Sequence, residues 1–580
     1  MAPHLQRRGP LTDKELQELA DAIDLNNSDI DEELLSEDDL DGDNLEEDLL
    51  DEQAFDDQDN PEPDDGFDSE DDLLLASLIP SHSEKWIRNK VFVPPNHMDS
   101  INYSGQVGRP SEYFQKYISD DFFESVSELT NMREVSETGH SLDTTASEIR
   151  KLFGCTMLIG IYSLPRLRMF WANSTRVPIV SDNITRNRFF KLRSRVKVVD
   201  DNRVSPEAKS LDRFWEVRPL LDRVQKVCRI NERTSKVSID EQMIPFAGQV
   251  TMRQFVRGKP NPIGLKNFVM ATPTGVPLDF HIYEGKGSSV EPALLAVPEQ
   301  LDVGGRMVLK LADTLPVGVS VFTDRYFTSI PLIDFLSSHG ITLAGTIMAN
   351  RIPKSASLLP DNELKKKERG SYDHLVRDDG KIILMKWFDN KPVNFASSCI
   401  GVDPEGTCSR WSKVEKKRVD DKQPAVVKNY NAYMGGVDLL DRVIGKYAMR
   451  NRTNKWTVRT IFHFIDFSVA AGWLEYRENA KAAGLRRKDI MDYFDFKLSV
   501  AKTRVLENQD QEDIESEEEV QPGNKRRSVQ PIPDKRCRLQ GNTHLVEFMK
   551  GKQKSRSKCR LPTWDKLTFA KCKSCGVFML

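Results

Sequence analysis

The apolar positions along the chain change period near residue 236. Before it, residues 110–132 place Phe114, Tyr117, Ile118, Phe122, Val126 and Leu129 at helical spacing. Thr145 and Glu148 form a capping box for a helix running through Ile161. A helix starting at Ser181 and an amphipathic helix through Phe214–Val227 complete an all-α stretch. From 236 the pattern is that of strands. Val237–Ile239 is a short strand that delivers Asp240. Lys266–Thr272, a Pro-Thr-Gly turn and Val276–Tyr283 predict a hairpin. A helix near Glu291–Leu301 follows, then a buried-type strand Val319–Thr323 ending at Asp324. A helix Ser329–Ser338 closed by Gly340 and a strand Ile341–Ile347 come next. Residues 428–446 predict a helix carrying Asp438 and Asp441, three apart and therefore on one face. Lys455–Glu478 and Arg486–Val505 predict helices that pack back onto the N-terminal ones.

The order β-β-β-α-β-α-β is that of a ribonuclease-H-like mixed sheet. There the first acid sits on the first strand, the second ends the fourth, and the third comes from a later helix. The fold class is accordingly α+β and multidomain. An acidic tail, 1–87, is expected to be disordered, since its composition cannot bury enough apolar area to offset ordering entropy. A helical region is expected at 88–235 and again at 448–505. The catalytic core is expected at 236–350 and 426–447, with a β-rich insertion between them at 351–425. A charged linker, 506–535, leads to a cysteine-rich module at 536–580.

Charge sharpens this division. The formal net charge is −6, yet Asp and Glu dominate residues 28–72 and recur at 508–519. Without them the body is basic, which points to a polyanionic partner, most often nucleic acid. No apolar run approaches the roughly 18 residues of a membrane span. With no apolar signal core at the N-terminus either, an intracellular protein is expected. The tail reads either as a solvated segment or as a DNA mimic or partner-binding arm.

Three carboxylates around one sheet face, Asp240, Asp324 and Asp438, suit Mg2+ or Mn2+, which take hard oxygen ligands. Two such ions can activate an attacking oxygen and stabilise a leaving one in phosphoryl transfer. Arg253, Arg257, Lys259 and Lys266 follow Asp240, and Arg450, Arg452 and Lys455 follow Asp438; beside a metal site they are candidates for holding DNA. Trp456 is either a core residue or a platform for an unpaired base. The run Arg186–Lys197 is either a solvated basic face or a phosphate contact. Cys572 and Cys575 have zinc-ligand spacing, with Cys559 as a third ligand and Cys537 or His544 as a fourth; reduced thiols are the other reading. Lys525-Arg526-Arg527 and Lys535-Arg536 resemble a nuclear import signal, so a nuclear location is expected.

The segments SIDEQMIPFAG, RQFVRGKPNPIGLK, FTDRYFTSIPL, NYNAYMGGVDLLDR and RNRTNKW, in this order, resemble the piggyBac transposases and the host genes derived from them, over about residues 90–580. The resemblance implies that Asp240, Asp324 and Asp438 catalyse cut-and-paste transposition, with Asp441 as a fourth acid and Trp456 near the active site. It implies nicking at the element end, a hairpin intermediate, and joining at TTAA sites in double-stranded DNA. It also implies a homodimer, with the helical stretches 88–235 and 448–505 as a DNA-binding and dimerisation region flanking the catalytic core, and a C-terminal module that binds terminal repeats through zinc. That module has fewer cysteines here than is usual in the family: Trp564 falls near where one is expected, so two zinc sites are not. A domesticated sequence-specific DNA-binding protein without transposition activity is therefore the competing reading.

Overall fold

The computed structural model describes residues 85–88, 90–95, 105–256, 259–285, 301–412, 416–449 and 453–506, and four short strands between 546 and 572. The acidic tail before Lys85, the linker from 507 and the expected helix at 291–300 lie outside the described residues. The chain divides into two units, Met1–Gln509 and Asp510–Leu580.

In the first unit, helices α1 (Pro110–Tyr117), α2 (Asp120–Thr138), α3 (Ala146–Tyr162), α4 (Arg186–Arg195) and α5 (Arg218–Ile230) lie between the first strand of the sheet and the rest of it. The Thr145 side chain accepts from the Glu148 backbone N–H and caps α3, as the sequence predicts. The Glu148 carboxylate takes a different route from that of a capping box: it receives both Arg188 donors at 2.6 Å and the Thr144 hydroxyl at 2.8 Å. Much of the basic face of α4 is matched within the fold in the same way. Arg195 pairs with Glu137 at 2.5 Å, and the neighbouring Lys197 pairs with Glu216 at 2.7 Å.

The sheet is built from β1 (Trp86–Arg88), β2 (Lys236–Pro245), β3 (Arg253–Phe255), β4 (Ile263–Ala271), β5 (Pro277–Ile282), β6 (Ser320–Thr323), β7 (Thr342–Thr346), β8 (Tyr372–Arg377), β9 (Ile383–Phe388) and β10 (Pro392–Ser397). These ten strands run in the order β1-β8-β9-β10-β7-β6-β2-β4-β3, with β5 also pairing β4. β2, β6 and β7 are mutually parallel neighbours, and every other pairing is antiparallel. The stretch 351–425 is rich in strands. Three of them, β8 to β10, continue this sheet, while β11 (Gly406–Ser412) and β12 (Lys417–Gln423) form their own hairpin. β2 is ten residues long, not the three expected before Asp240, so the acid sits inside a strand. Gly275, at φ +90°, turns β4 into β5, a conformation that glycine adopts without a Cβ penalty.

The two faces of the sheet bury different partners. Val237, Ile239, Phe268 and Met270 pack against α6 (Val303–Ala312) and α7 (Ile330–Ser338). Ile244, Leu265, Val269 and Phe280 join the helical core on the other face. That core takes in α9 (Gly436–Lys446), α10 (Trp456–Ala482) and α11 (Tyr493–Leu506), whereas α8 (Ala425–Tyr433) packs through Val426 and Val427 in a separate cluster with Phe322, Val376 and Phe395. α10 is 27 residues, about 40 Å of helix. Phe464 and Phe467 lie against Phe280 of the sheet, and Gly472 passes close to Tyr113 of α1. The C-terminal helices thus pack onto the N-terminal ones. Among the described residues no helix is long and apolar enough to cross a membrane.

A buried ion pair ties the segment after α9 to this core. Lys497 Nζ donates to Asp466 Oδ1 at 2.5 Å and to the Tyr447 carbonyl at 2.6 Å, and Met449 N–H donates to Asp466 Oδ2 at 2.6 Å. Lys497 is fully buried. Lys497→Met leaves Asp466 as an uncompensated buried charge and is expected to cost about 3–5 kcal/mol, read from urea unfolding. Adding Asp466→Asn to it is expected to recover part of that loss.

In the second unit, β13 (Val546–Phe548) pairs antiparallel with β16 (Ala570–Cys572), and β14 (Ser557–Lys558) with β15 (Leu567–Thr568). The register sets Cys572 opposite Val546.

Candidate active site

Strand register creates the site. β2 pairs in parallel with β6 only from Lys236–Ser320 to Ile239–Thr323. The next residue on each strand is Asp240 and Asp324, so the two acids leave adjacent strands at one level. β6 ends there while β2 runs on to Pro245, which uncovers the β2 edge from Asp240 onward. Alternation along β2 puts Asp240 and Gln242 on the face toward α9, and Glu241 on the other. α9 brings Asp438 in its first turn, with Asp441 one turn further. It approaches so closely because Gly436 has no side chain: a Cβ there would lie 2.2 Å from the Thr272 carbonyl oxygen and 2.6 Å from Ser238 Oγ.

Each acid is held by few donors. Asp240 Oδ1 accepts from the Glu241 N–H at 2.8 Å, and Asp324 Oδ1 from the Tyr326 N–H at 2.9 Å. Lys259, on the loop between β3 and β4, is the near cation. Its Nζ lies 3.9 Å from Asp240 Oδ2 and 3.5 Å from Glu241 Oε1, and donates to the Glu241 carbonyl at 3.2 Å. Burial, then the charges of Glu241, Asp324 and Asp438, hold the Asp240 carboxyl well above its ordinary range. Burial and Glu241 push Asp324 up to about 6. Burial pushes Asp441 to about 7, against the opposing hydrogen bond from Gln242. The same acids raise Lys259 above its ordinary value despite burial.

These shifts set a pH dependence. A carboxyl whose folded pKa lies above its unfolded value binds more protons folded, so the contribution of these two groups to stability is greatest below about 4 and is lost as pH rises through about 6 and 7. In chelator, the Tm of the Asp441→Asn protein is expected to fall less than wild type between pH 5 and pH 8. Parallel curves would show that Asp441 is not strained by ionisation.

The donor set fits a hard divalent cation. All the convergent groups are carboxylates, Glu241 Oε2 is buried with no hydrogen-bond partner, and among the described residues Lys259 and the buried Lys266 are the cations that offset the mutual repulsion of the acids. Among the described residues no three His, Cys, Asp or Glu side chains already stand in a ligating arrangement. Asp240, Asp324, Asp438 and Asp441 are the residues that could draw together on an ion.

The remaining predicted residues separate. Lys266 is buried, its ammonium 4.1 Å from the Tyr326 ring centre and 4.8 Å from that of Phe268, and burial lowers its pKa. Arg253 donates to the Ala247 carbonyl at 3.0 Å. Lys455 precedes α10 as its N-cap. Trp456 is half-buried, edge-on to Phe214 at 5.5 Å. Arg257, Arg450 and Arg452 lie outside the described residues, as do Cys537, His544, Cys559 and Cys575; of Cys572 only the backbone is described. Sequence reasoning did not assign roles to Glu241, Asn267 or His463, although Glu241 and Gln242 directly follow Asp240. Their meaning emerges only when the strand continues past Asp240.

A family model described as Transposase IS4 matches residues 109–473. The human PiggyBac transposable element-derived protein 3 is 30% identical over 501 residues, covering 85% of this chain and 77% of that protein. The human PiggyBac transposable element-derived protein 2 is 32% identical over 379 residues, covering 63% of this chain and 61% of its own length. In fold, the chain is similar to a piggyBac transposase solved in a synaptic complex with hairpin DNA. The TM-score is 0.56 at 22% identity, over 73% of this chain and 88% of that one.

Proposed function

Because the chain belongs to the piggyBac family of transposases and transposable element-derived proteins, we propose that it is a metal-dependent DNA transposase that cuts and joins DNA ends. The observation that carries this reading is the shared level of Asp240 and Asp324 on parallel strands, with Asp438 brought against them by α9. A ribonuclease-H-like core is supported by the strand order β5-β4-β2-β6-β7 within the larger sheet, with Asp240 on the first of these strands in sequence and Asp324 ending the fourth.

Asp240, Asp324, Asp438 and Asp441 would hold Mg2+ or Mn2+. Bound there, the cation supplies charge neutralisation and an activated oxygen nucleophile for phosphoryl transfer. The chain's own residues do the rest. Lys259 neutralises the acids and, at the edge of the site, is placed to meet a DNA phosphate. Arg253 and Lys455 contribute further positive charge. A homodimer, TTAA target sites, a nuclear location and a zinc-binding C-terminal module belong to the same reading. A domesticated DNA-binding protein is favoured by one specific observation: the relatives at 30% and 32% identity bear the description transposable element-derived.

The test is an excision assay in which the donor carries the DNA flanking this coding region as its ends. Seamless, TTAA-restoring excision is the expected result. Retained DNA binding with no excision from any flanking end would replace the transposase reading with the domesticated one.

A further inference from the structure

Gln242 is fully buried on β2, two residues beyond Asp240 and on the same face. Its amide makes three contacts. The Nε2 donates to Asp441 Oδ1. The Oε1 accepts from Asn267 Nδ2, its register partner on β4, at 3.1 Å. It also meets His463 Nε2, on α10, at 3.1 Å. A carbonyl oxygen has two lone pairs, so two donors occupy it fully. That leaves the amide nitrogen to donate, and one of its two N–H groups reaches Asp441. A flipped amide would set NH2 against two donors. Burial holds His463 neutral, its pKa down to about 3, so its ring carries a single N–H. The tautomer with that proton on Nε2 suits the contact, since an unprotonated Nε2 would set a lone pair against the Gln242 carbonyl oxygen.

We infer that Gln242 and His463 are positioning residues for the Asp441 carboxylate. Through them the long helix α10 sets where that carboxylate stands. This inference rests on the reading of the acids as a divalent-cation site and goes beyond it by naming what aims one of them. Neither residue reaches the reacting atoms. His463 acts by locking the orientation of Gln242, and Gln242 acts by holding Asp441.

The test uses the full-length chain and Mn2+ alone, with binding read by calorimetry or by loss of the free-ion electron paramagnetic resonance signal. Gln242→Met keeps the volume and removes both ends of the relay. Partners that orient metal ligands typically account for about 10–100-fold in affinity, and that weakening of Mn2+ binding is the expected result. His463→Leu is expected to weaken Mn2+ binding in the same direction. His463→Gln, which restores a donor at similar reach, is expected to recover most of it while the Tm stays at the His463→Leu value; a purely structural histidine would not show that split. Asp441→Asn separates the two levels. If it weakens Mn2+ binding while Gln242→Met binds as wild type, the positioning role is overturned and the metal-site reading stands. If Asp441→Asn itself binds Mn2+ as wild type, Asp441 is no ligand and the inference falls; only if Asp324→Asn also binds Mn2+ as wild type does the metal-site reading fall with it. Should Gln242→Met not fold, the His463 pair decides: equal Mn2+ affinity in His463→Leu and wild type overturns the inference.

Discussion

Asp324→Asn is expected to lower metal-dependent cleavage of a donor DNA end by more than about 100-fold, while DNA binding stays at wild-type affinity. Loss of a group that merely orients a ligand costs about 10–100-fold, and Asp324 would be a ligand itself. The substitution is nearly isosteric. An amide oxygen can still accept from the Tyr326 N–H that now reaches Asp324 Oδ1 at 2.9 Å. Nor does the fold suffer, because burial and the Glu241 charge already disfavour the carboxylate and push its pKa to about 6. At pH 8 without metal, the variant is therefore expected to melt at or above the wild-type Tm. Activity falling while stability holds or rises is the signature of a residue kept for chemistry. Cleavage within threefold of wild type, at matched Mg2+, would sink the assignment of Asp324.

The second large effect is expected from a residue with no functional group. Gly436→Ala places a methyl 2.2 Å from the Thr272 carbonyl oxygen and 2.6 Å from Ser238 Oγ. The oxygen is a backbone carbonyl of the tight turn after β4, where it accepts from the Gly275 N–H at 2.9 Å, and it cannot swing aside, so the first turn of α9 must lift. Overpacking of this kind costs about 1–3 kcal/mol. Asp438 lies two residues further on, and a displacement near 1 Å from productive geometry costs about 100-fold in rate. Both a lower Tm and a cleavage loss of about that size are expected. Gly435→Ala is the paired control: a Cβ there meets nothing within 4 Å, and its φ of −73° suits any residue. If the two variants behave alike, the close approach of α9 is not what aims Asp438.

Much of the architecture was legible because local signals agreed with their context. The Thr145 cap, the Gly275 turn and the strand ending before Asp324 each depend on a few adjacent residues, and each formed where the pattern put it. The helices at 456–482 and 493–506 could be expected to return to the N-terminal helices, since their apolar stripes had nothing else to cover. Where the reading departed from the structure, a partner distant in sequence had intervened. β2 extends to Pro245 because β4 pairs with it through Gly264. The arginines of α4 look like a phosphate surface in sequence, yet Arg188 and Arg195 find Glu148 and Glu137 on helices that precede them.

Taken by itself, the sequence determined which residues are chemically equipped: the acids at 240, 324, 438 and 441, the cations that follow them, and the order of strands and helices that carries them. Those are properties of residue type and short-range periodicity, which a linear chain states openly. Only the tertiary structure decided that Lys266 is buried against aromatic rings while Lys259 meets the acids, that Gly436 admits α9 to the sheet, and that Gln242 faces Asp441. Each of these depends on which strand edge is left uncovered and which backbones touch. Such contacts join residues as far apart as 199 positions, so no local pattern encodes them, and close packing leaves one arrangement in which they can all be satisfied.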